Sequence, residues 1–121
     1  MSSRLRKIDF EKLREVVEPQ NELVLRQILS SQDFNGSISI TWVAIDGEHQ
    51  SLISHSQLRV YLIMGGNVTF TVNQIDTYTL KKNDVLTLNA GDSYSLRGSG
   101  EYVVMNLPAF TAGDDEYVTD K

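Results

Sequence analysis

The chain has 121 residues, of which 40% are hydrophobic and 22% are charged, and it contains no cysteine. This length and composition fit one globular domain with a single core, and the lack of cysteine excludes disulfides and thiolate metal sites. The formal net charge of −5 argues against nucleic-acid binding, which requires a concentrated positive surface.

Residues 1–20 predict a helical N-terminal arm. Asp9 can cap a short helix over residues 9–17, and Pro19 would end it. Apolar residues recur there near helical spacing, at Phe10, Leu13, Val16 and Val17. The arm lacks the apolar core of a signal peptide, and no stretch approaches the ~18 apolar residues of a membrane span. We therefore expect a cytoplasmic protein without a membrane partner.

Residues 21–110 predict a domain of short β-strands. Runs rich in β-branched residues recur at spacings near ten residues and are separated by Gly, Asn, Asp and Ser. The predicted strands cover residues 22–30, 37–45, 58–64, 67–73, 77–80, 84–88, 94–97 and 102–107. This pattern is typical of an antiparallel sandwich or barrel. Residues 111–121 are expected to form a polar, acidic tail.

Two predicted strands are apolar on both faces. Residues 60–64 read VYLIM and residues 102–105 read YVVM, whereas residues 67–73 alternate between polar and apolar side chains. A strand that is apolar on both faces must be covered on both sides. The simplest cover is a second copy of the chain, so the pattern predicts a homodimer.

The stretch from Gly47 to Gly98 resembles the two sequence motifs of the cupin superfamily. The first motif, G-x5-H-x-H-x3-4-E-x6-G, is matched in spacing by Gly47, Ile53, His55, Arg59 and Gly66. The second, G-x5-P-x-G-x2-H-x3-N, is matched by Asn83, Asn89, Gly91, Tyr94 and Gly98. The residue itself is retained only at Gly47, His55, Gly66 and Gly91. The resemblance implies an all-β cupin fold, a double-stranded β-helix or jelly-roll sandwich, here preceded by a short N-terminal helix.

In metal-binding cupins, three histidines and a glutamate at these motif positions hold a divalent ion. Carried over by position, the four ligands are Ile53, His55, Arg59 and Tyr94. Ile53 cannot ligate, and Arg59 places a permanent positive charge where the ion would sit. At ~4 Å and an effective dielectric constant of ~20, each unit of charge repels by about 4 kcal/mol. We therefore expect no metal and no cofactor.

Strand alternation predicts which side chains enter the barrel that the resemblance implies. If residues 53–63 run extended, one face carries Ile53, His55, Gln57, Arg59, Tyr61 and Ile63, with Tyr94 joining from the second motif. A buried guanidinium at Arg59 needs a partner. That partner is either a carboxylate of the protein, at Glu48, Asp84 or Asp92, or an anionic ligand, unless the side chain reaches out to solvent.

Several other residues are candidates for the site, and some of them have a purely structural alternative. Gln57, Tyr61 and Trp42 are candidate ligand contacts, with core packing as the alternative for Trp42. His55 is a candidate general base and Tyr94 a candidate general acid, and each is otherwise a satisfied interior side chain. His49 is expected in an exposed loop over residues 46–51.

Three functions follow as hypotheses. The first is a cupin without a metal site whose lumen binds a small acid, sugar or sugar phosphate. The second is a metal-independent sugar-nucleotide isomerase or epimerase that uses His55 and Tyr94, because cupin-fold deoxysugar epimerases act without a metal. The third is a metal-dependent cupin enzyme, which the replaced ligands argue against. The sequence leaves open whether the protein is an enzyme.

Overall fold

The structure is a computed structural model that describes residues 7–118. Within that range the chain forms eight strands: β1 (Glu15–Glu18), β2 (Leu23–Leu29), β3 (Ser39–Ser54), β4 (Leu58–Val72), β5 (Asp76–Lys81), β6 (Val85–Asn89), β7 (Ser93–Leu107) and β8 (Asp115–Tyr117). Three single 3-10 turns complete the secondary structure, at Phe10–Lys12, Pro19–Asn21 and Phe34–Gly36. No helix in the described range is long and apolar enough to cross a membrane.

The strands pair antiparallel in the order β1-β2-β3-β7-β4-β5, with β6 also on β4 and β8 also on β3. Of the three long strands, β7 pairs with β3 and β4 along nearly its whole length. On its other edge β3 pairs with β2 and then with β8, and β4 pairs with β6 and then with β5. This arrangement is the all-β jelly-roll architecture that the sequence predicts. Several strands predicted as separate pieces are continuous, since β4 joins residues 58–64 to residues 67–73 and β7 joins residues 94–97 to residues 102–107.

Two glycines allow β4 and β7 to approach closely where they bend. Gly66 and Gly98 both have positive φ values, +72° and +142°. A Cβ atom on Gly66 would collide with the carbonyl oxygen of Ser99, and one on Gly98 with that of Asn67. Only glycine fits such positions without strain. The motif glycine at position 66 is therefore required by the close approach of β4 and β7.

The core lies between the inward faces of the strands. Val68, Phe70 and Val72 are buried on one face of β4, while Thr69 and Thr71 remain partly exposed, which confirms the predicted alternation. Further buried apolar side chains come from every long strand: Val43, Ile45, Leu52, Ile63, Leu96 and Tyr102.

The N-terminal arm differs from its prediction. The helix predicted over residues 9–17 is present only as the turn Phe10–Lys12, and β1 follows as an edge strand paired with β2. Val16 and Val17 are β-branched, so they lose rotamer freedom in a helix and suit a strand. The free edge of β2 supplies the hydrogen-bond partners that the sequence could not reveal. In the acidic tail, residues 115–117 likewise form a strand, β8, against β3.

The outward side of the sheet carries a continuous apolar surface. Side chains paired across β3, β7, β4 and β6 point away from the core and are partly or fully exposed. We call this the outer apolar face, and it consists of Ile40, Trp42, Val60, Leu62, Val85, Val103 and Met105. The sequence correctly predicts that β4 and β7 are apolar on both sides.

Candidate functional site

A cavity of about 330 Å³ opens between the inward faces of β1, β2, β3, β4 and β7 and is bordered by β8. Its volume lies within the range of about 300–1,000 Å³ that is typical of ligand pockets. Apolar side chains form part of its wall, and most of the lining side chains are polar: Glu18, Gln27, Thr41, His49, Arg59, Tyr61, Tyr102, Asn106, Asp115 and Tyr117.

Arg59 lies at the floor of the cavity and is only 2% exposed. Its Nε donates to Asn106 Oδ1 at 2.6 Å, and its Nη1 donates to Tyr94 Oη at 2.9 Å. Its Nη2 lies 2.7 Å from Asp115 Oδ1, so the guanidinium is ion-paired within the protein. The predicted partners Glu48, Asp84 and Asp92 were wrong, because β8 brings Asp115 to this position. Burial acts to lower the pKa of Arg59, but Tyr94, Tyr61 and Asp115 outweigh it and raise that pKa above its usual value.

Two buried tyrosines extend the hydrogen bonding from Arg59. The hydroxyl oxygens of Tyr61 and Tyr94 are 2.5 Å apart, and burial raises the pKa of both phenols. A guanidinium can only donate, so Tyr94 Oη accepts from Arg59 and is free to donate its own proton to Tyr61. Tyr61 can then donate into the cavity that it lines, whereas Tyr94 lies behind it. We call the series Arg59, Tyr94 and Tyr61 the donor relay.

His49 is the histidine that lines the cavity. Its Nδ1 lies 2.8 Å from the carbonyl oxygen of Gln50. A carbonyl only accepts, so Nδ1 carries the proton and Nε2 is left with a free lone pair. Burial lowers the pKa of His49, against smaller opposing effects of the Gln50 carbonyl and Glu18. The ring also stacks on Tyr117, with centroids 6.2 Å apart. His49 is therefore a neutral imidazole with a fixed tautomer.

The predicted exposed loop around His49 was wrong. Asp46-Gly47 is not a turn, since both residues pair with β7 inside the continuous strand β3. The inward phase of Val43 and Ile45 therefore continues through Gly47 to His49. The position of His49 agrees with a two-residue period that continues past the Asp-Gly pair, but only the pairing with β7 shows that the strand continues.

His55 does not enter the lumen, contrary to the prediction. β3 ends at Ser54 and β4 begins at Leu58, so residues 55–57 form a connection rather than an extended run. His55 Nε2 lies 2.8 Å from Glu116 Oε1, and the side chain is 47% exposed. Tyr94 is fully buried, so the structure does not bring the predicted base and acid together.

Two predicted ligand contacts also lie elsewhere. Gln57 is exposed in the same connection and does not line the cavity. Trp42 belongs to the outer apolar face, where its ring packs edge-on against Phe10 with centroids 5.2 Å apart. Its indole nitrogen lies 3.3 Å from Glu101 Oε1, so Trp42 is neither a cavity contact nor a core residue. Tyr61, the third such candidate, does line the cavity.

Several cavity residues were not identified from the sequence. Asn106 is the one polar side chain in the apolar run at the end of β7, and its inward phase follows from that of Tyr102 and Val104. That phase was a usable indication. Asp115 and Tyr117 had none, because their position depends on the pairing of β8 with β3.

The residues at the cupin metal-ligand positions do not fit a divalent ion. Ile53 has no donor atom, His55 points to the surface, and Arg59 fills the floor with a charged guanidinium. Among residues 7–118, no three His, Asp or Glu side chains are grouped as metal ligands.

Comparison with known proteins gave matches only among solved structures. No protein-family model matches the chain, and no curated protein sequence matches it. The nucleoside dehydratase Pac13 superposes with a TM-score of 0.80 at 19% identity, covering 94% of this chain and 91% of that chain. Three further structures of Streptomyces Pac13 contain uridine, in variants that replace a histidine with glutamine or one of two tyrosines with phenylalanine.

Two other neighbours extend the comparison. An RmlC-like cupin from Shewanella frigidimarina has a TM-score of 0.72 at 13% identity, covering 90% of this chain and 96% of that chain. Ectoine synthase from P. lautus has a TM-score of 0.75 at 14% identity, covering 97% and 92%. Identities this low establish shape and nothing finer. The chain therefore has the cupin fold, as its motif spacing predicts.

Proposed function

We propose that this cupin binds a small, uncharged, hydroxylated ring compound of the nucleoside or sugar type and acts on it by general acid–base catalysis. The observation that carries the proposal is the presence in one cavity of an unprotonated imidazole, His49, and a hydrogen-bond donor, Tyr61. A ligand held between them meets a group that removes a proton and a group that supplies one.

The charges of the cavity favour an uncharged ligand over an acid or a phosphate. The positive charge of Arg59 is neutralised by Asp115, and Glu18 adds a second carboxylate to the lining. The lowered pKa of His49 removes the other candidate cation. An anion would have to displace Asp115 from a buried guanidinium, which is costly.

His49 has the properties of a general base. A base must be unprotonated at the working pH and present its lone pair to the substrate. Burial lowers the pKa of His49, and the Gln50 carbonyl fixes the tautomer that leaves Nε2 free. In this proposal His49 takes the role that the sequence suggested for His55.

Tyr61 has the properties of the opposing acid. Burial raises the pKa of Tyr61, so the phenol stays protonated and can transfer its proton to a substrate group that becomes more basic during the reaction. The cationic end of the donor relay favours negative charge on Tyr61 as that proton leaves.

Pac13 lends support through the kind and spacing of its substituted residues. The histidine and the two tyrosines replaced in its uridine-bound variants are thirteen and thirty-four residues apart. His49, Tyr61 and Tyr94 are twelve and thirty-three residues apart. The same residue types at nearly the same spacing, in a shared fold, favour a nucleoside-like ligand here.

The sugar-nucleotide isomerase or epimerase hypothesis is less well supported. It relied on His55, which is exposed, and a nucleotide diphosphate needs cationic partners. The one buried guanidinium in the described cavity is already paired.

The test combines binding and proton exchange. Thermal shift and calorimetry with uridine, other nucleosides and keto sugars should give at least one ligand for the wild type. NMR in D2O should then detect exchange at a carbon-bound proton of that ligand. His49→Gln should abolish exchange while retaining binding, and His55→Gln is the matched control. Equal exchange by wild type and His49→Gln would contradict the catalytic part, and no binding by any compound would contradict the whole.

A homodimer remains part of the proposal. The outer apolar face consists of apolar side chains on four paired strands and contains a tryptophan, and a two-fold axis would pack it against itself. We therefore favour a second copy of this chain as the group that covers it.

A further inference from the structure

We infer that Asn106 determines ligand specificity, because its side-chain amide presents a fixed donor to an uncharged oxygen atom of the ligand. The inference rests on the proposed function. It adds a residue that contacts the ligand and states that the ligand atom there accepts a hydrogen bond. Asn106 is 5% exposed and lines the cavity on β7, directly across from Arg59 on β4.

The orientation of the Asn106 amide is fixed by chemistry. Arg59 Nε carries a proton and can only donate, so the atom 2.6 Å away must be the amide oxygen. The Nδ2 group therefore points away from Arg59. Among residues 7–118 it donates to no acceptor, yet it is not sealed away from the cavity. A nearly buried donor without a partner is costly and requires water or a ligand.

A second donor lies beside it. Tyr61 pairs with Val104, two residues before Asn106, so the two side chains are diagonal neighbours on the same inward face. When Tyr94 donates to Tyr61, the Tyr61 proton is available to the cavity. Arg59 thus orients both groups, Asn106 through Nε and Tyr61 through Tyr94.

Two neighbouring donors define the group that they bind. An oxygen with two lone pairs, such as that of a carbonyl or hydroxyl, can accept from both, whereas an N–H group of the ligand cannot bond to the Asn106 amide nitrogen. A site built to donate discriminates strongly against a ligand that cannot accept.

The first arm of the test needs no ligand. A high-resolution crystal structure of the free protein should show an ordered water within hydrogen-bond distance of both Asn106 Nδ2 and Tyr61 Oη. An Asn106 amide nitrogen bonded to a protein acceptor instead would overturn the inference, whatever the protein binds.

The second arm uses Asn106→Asp, which keeps the acceptor for Arg59 and replaces the cavity donor with an acceptor. Calorimetry with uridine, or with the tightest compound of the screen, should show at least a tenfold loss of affinity. Gln57→Glu, an amide-to-carboxylate change at an exposed site, is the matched control. Undiminished binding by Asn106→Asp sinks the inference and leaves the proposed function intact. Failure of the wild type to bind any compound would contradict the proposed function. The inference about Asn106 would then be tested by the ordered water at Asn106 Nδ2 and Tyr61 Oη alone.

Discussion

Arg59 Nη2 and Asp115 Oδ1 lie 2.7 Å apart, so a short strand near the end of the chain supplies the counter-ion for the cavity floor. The guanidinium is buried and the carboxylate is 22% exposed. The cavity therefore keeps its charge balance only while β8 stays paired with β3. The same strand stacks Tyr117 on His49, so β8 contacts both the guanidinium of Arg59 and the imidazole of His49.

Removing this counter-ion should destabilise the protein. Asp115→Asn leaves the buried charge of Arg59 uncompensated, and breaking a buried pair costs about 3–5 kcal/mol. Urea denaturation should show a loss near the lower end of that range. Glu116→Gln, which breaks the exposed pair with His55, should lose under about 1 kcal/mol. Equal losses in the two variants would show that the Arg59–Asp115 pair contributes no more to the free energy of unfolding than an exposed pair.

The same variant should acquire affinity for anions. With Asp115 neutralised, Arg59 becomes the uncompensated cation of the cavity, and a small anion can take the vacated place. Added phosphate should therefore raise the melting temperature of Asp115→Asn more than that of the wild type. An identical response in both proteins would contradict the assignment of Asp115 as the counter-ion.

Breaking the donor relay should affect both stability and chemistry. Tyr94→Phe leaves Arg59 Nη1 without an acceptor and removes the hydrogen bond to Tyr61, and an unsatisfied buried group costs about 1–3 kcal/mol. Any catalysed proton exchange should also fall, since Tyr61 is no longer polarised. Tyr78→Phe, at an exposed tyrosine on β5, is the control for both measurements. A Tyr94→Phe protein with wild-type exchange would contradict the relay.

The burial of His49 should make stability depend on pH. The pKa of His49 is lower in the folded state than the ~6.5 of an unfolded chain, so the unfolded state takes up the proton first. This contribution to stability is complete above about pH 6.5 and is lost as the pH falls through the lowered folded pKa. His49→Gln should flatten the dependence of unfolding free energy on pH in that window. A pH dependence that is the same in His49→Gln and in the wild type would contradict the assignment.

Charge on the outer apolar face should prevent dimerisation. Leu62 pairs with Val103 and Val85 at the middle of this face, and a buried unpaired carboxylate there is strongly unfavourable. Light scattering should give a dimer for the wild type and a monomer for Leu62→Glu. Tyr78→Glu, on the exposed edge strand β5, should remain dimeric. A wild-type monomer at high concentration would contradict the proposed homodimer.

Only part of the site could be predicted from the sequence. Arg59 and Tyr61 follow from the two-residue period of a single strand, and that period holds because β4 is unbroken from Leu58 onward. Extending the same period back to His55 failed because the chain turns there between two strands. The local sequence of residues 46–57 does not distinguish a strand through Asp46-Gly47 from a turn, since only the pairing with β7 decides it.

By itself the sequence determined the fold and a permanent cation at residue 59, the position where the cupin motif has a metal-binding carboxylate. Both depend on neighbours a few residues apart: alternation, glycine positions and the identity of residue 59. The tertiary structure alone decided which histidine faces the cavity, which carboxylate pairs with Arg59, and where Asn106 aims its donor. Those choices depend on hydrogen bonds between strands distant in the chain, and such pairings leave no periodic mark on either strand alone.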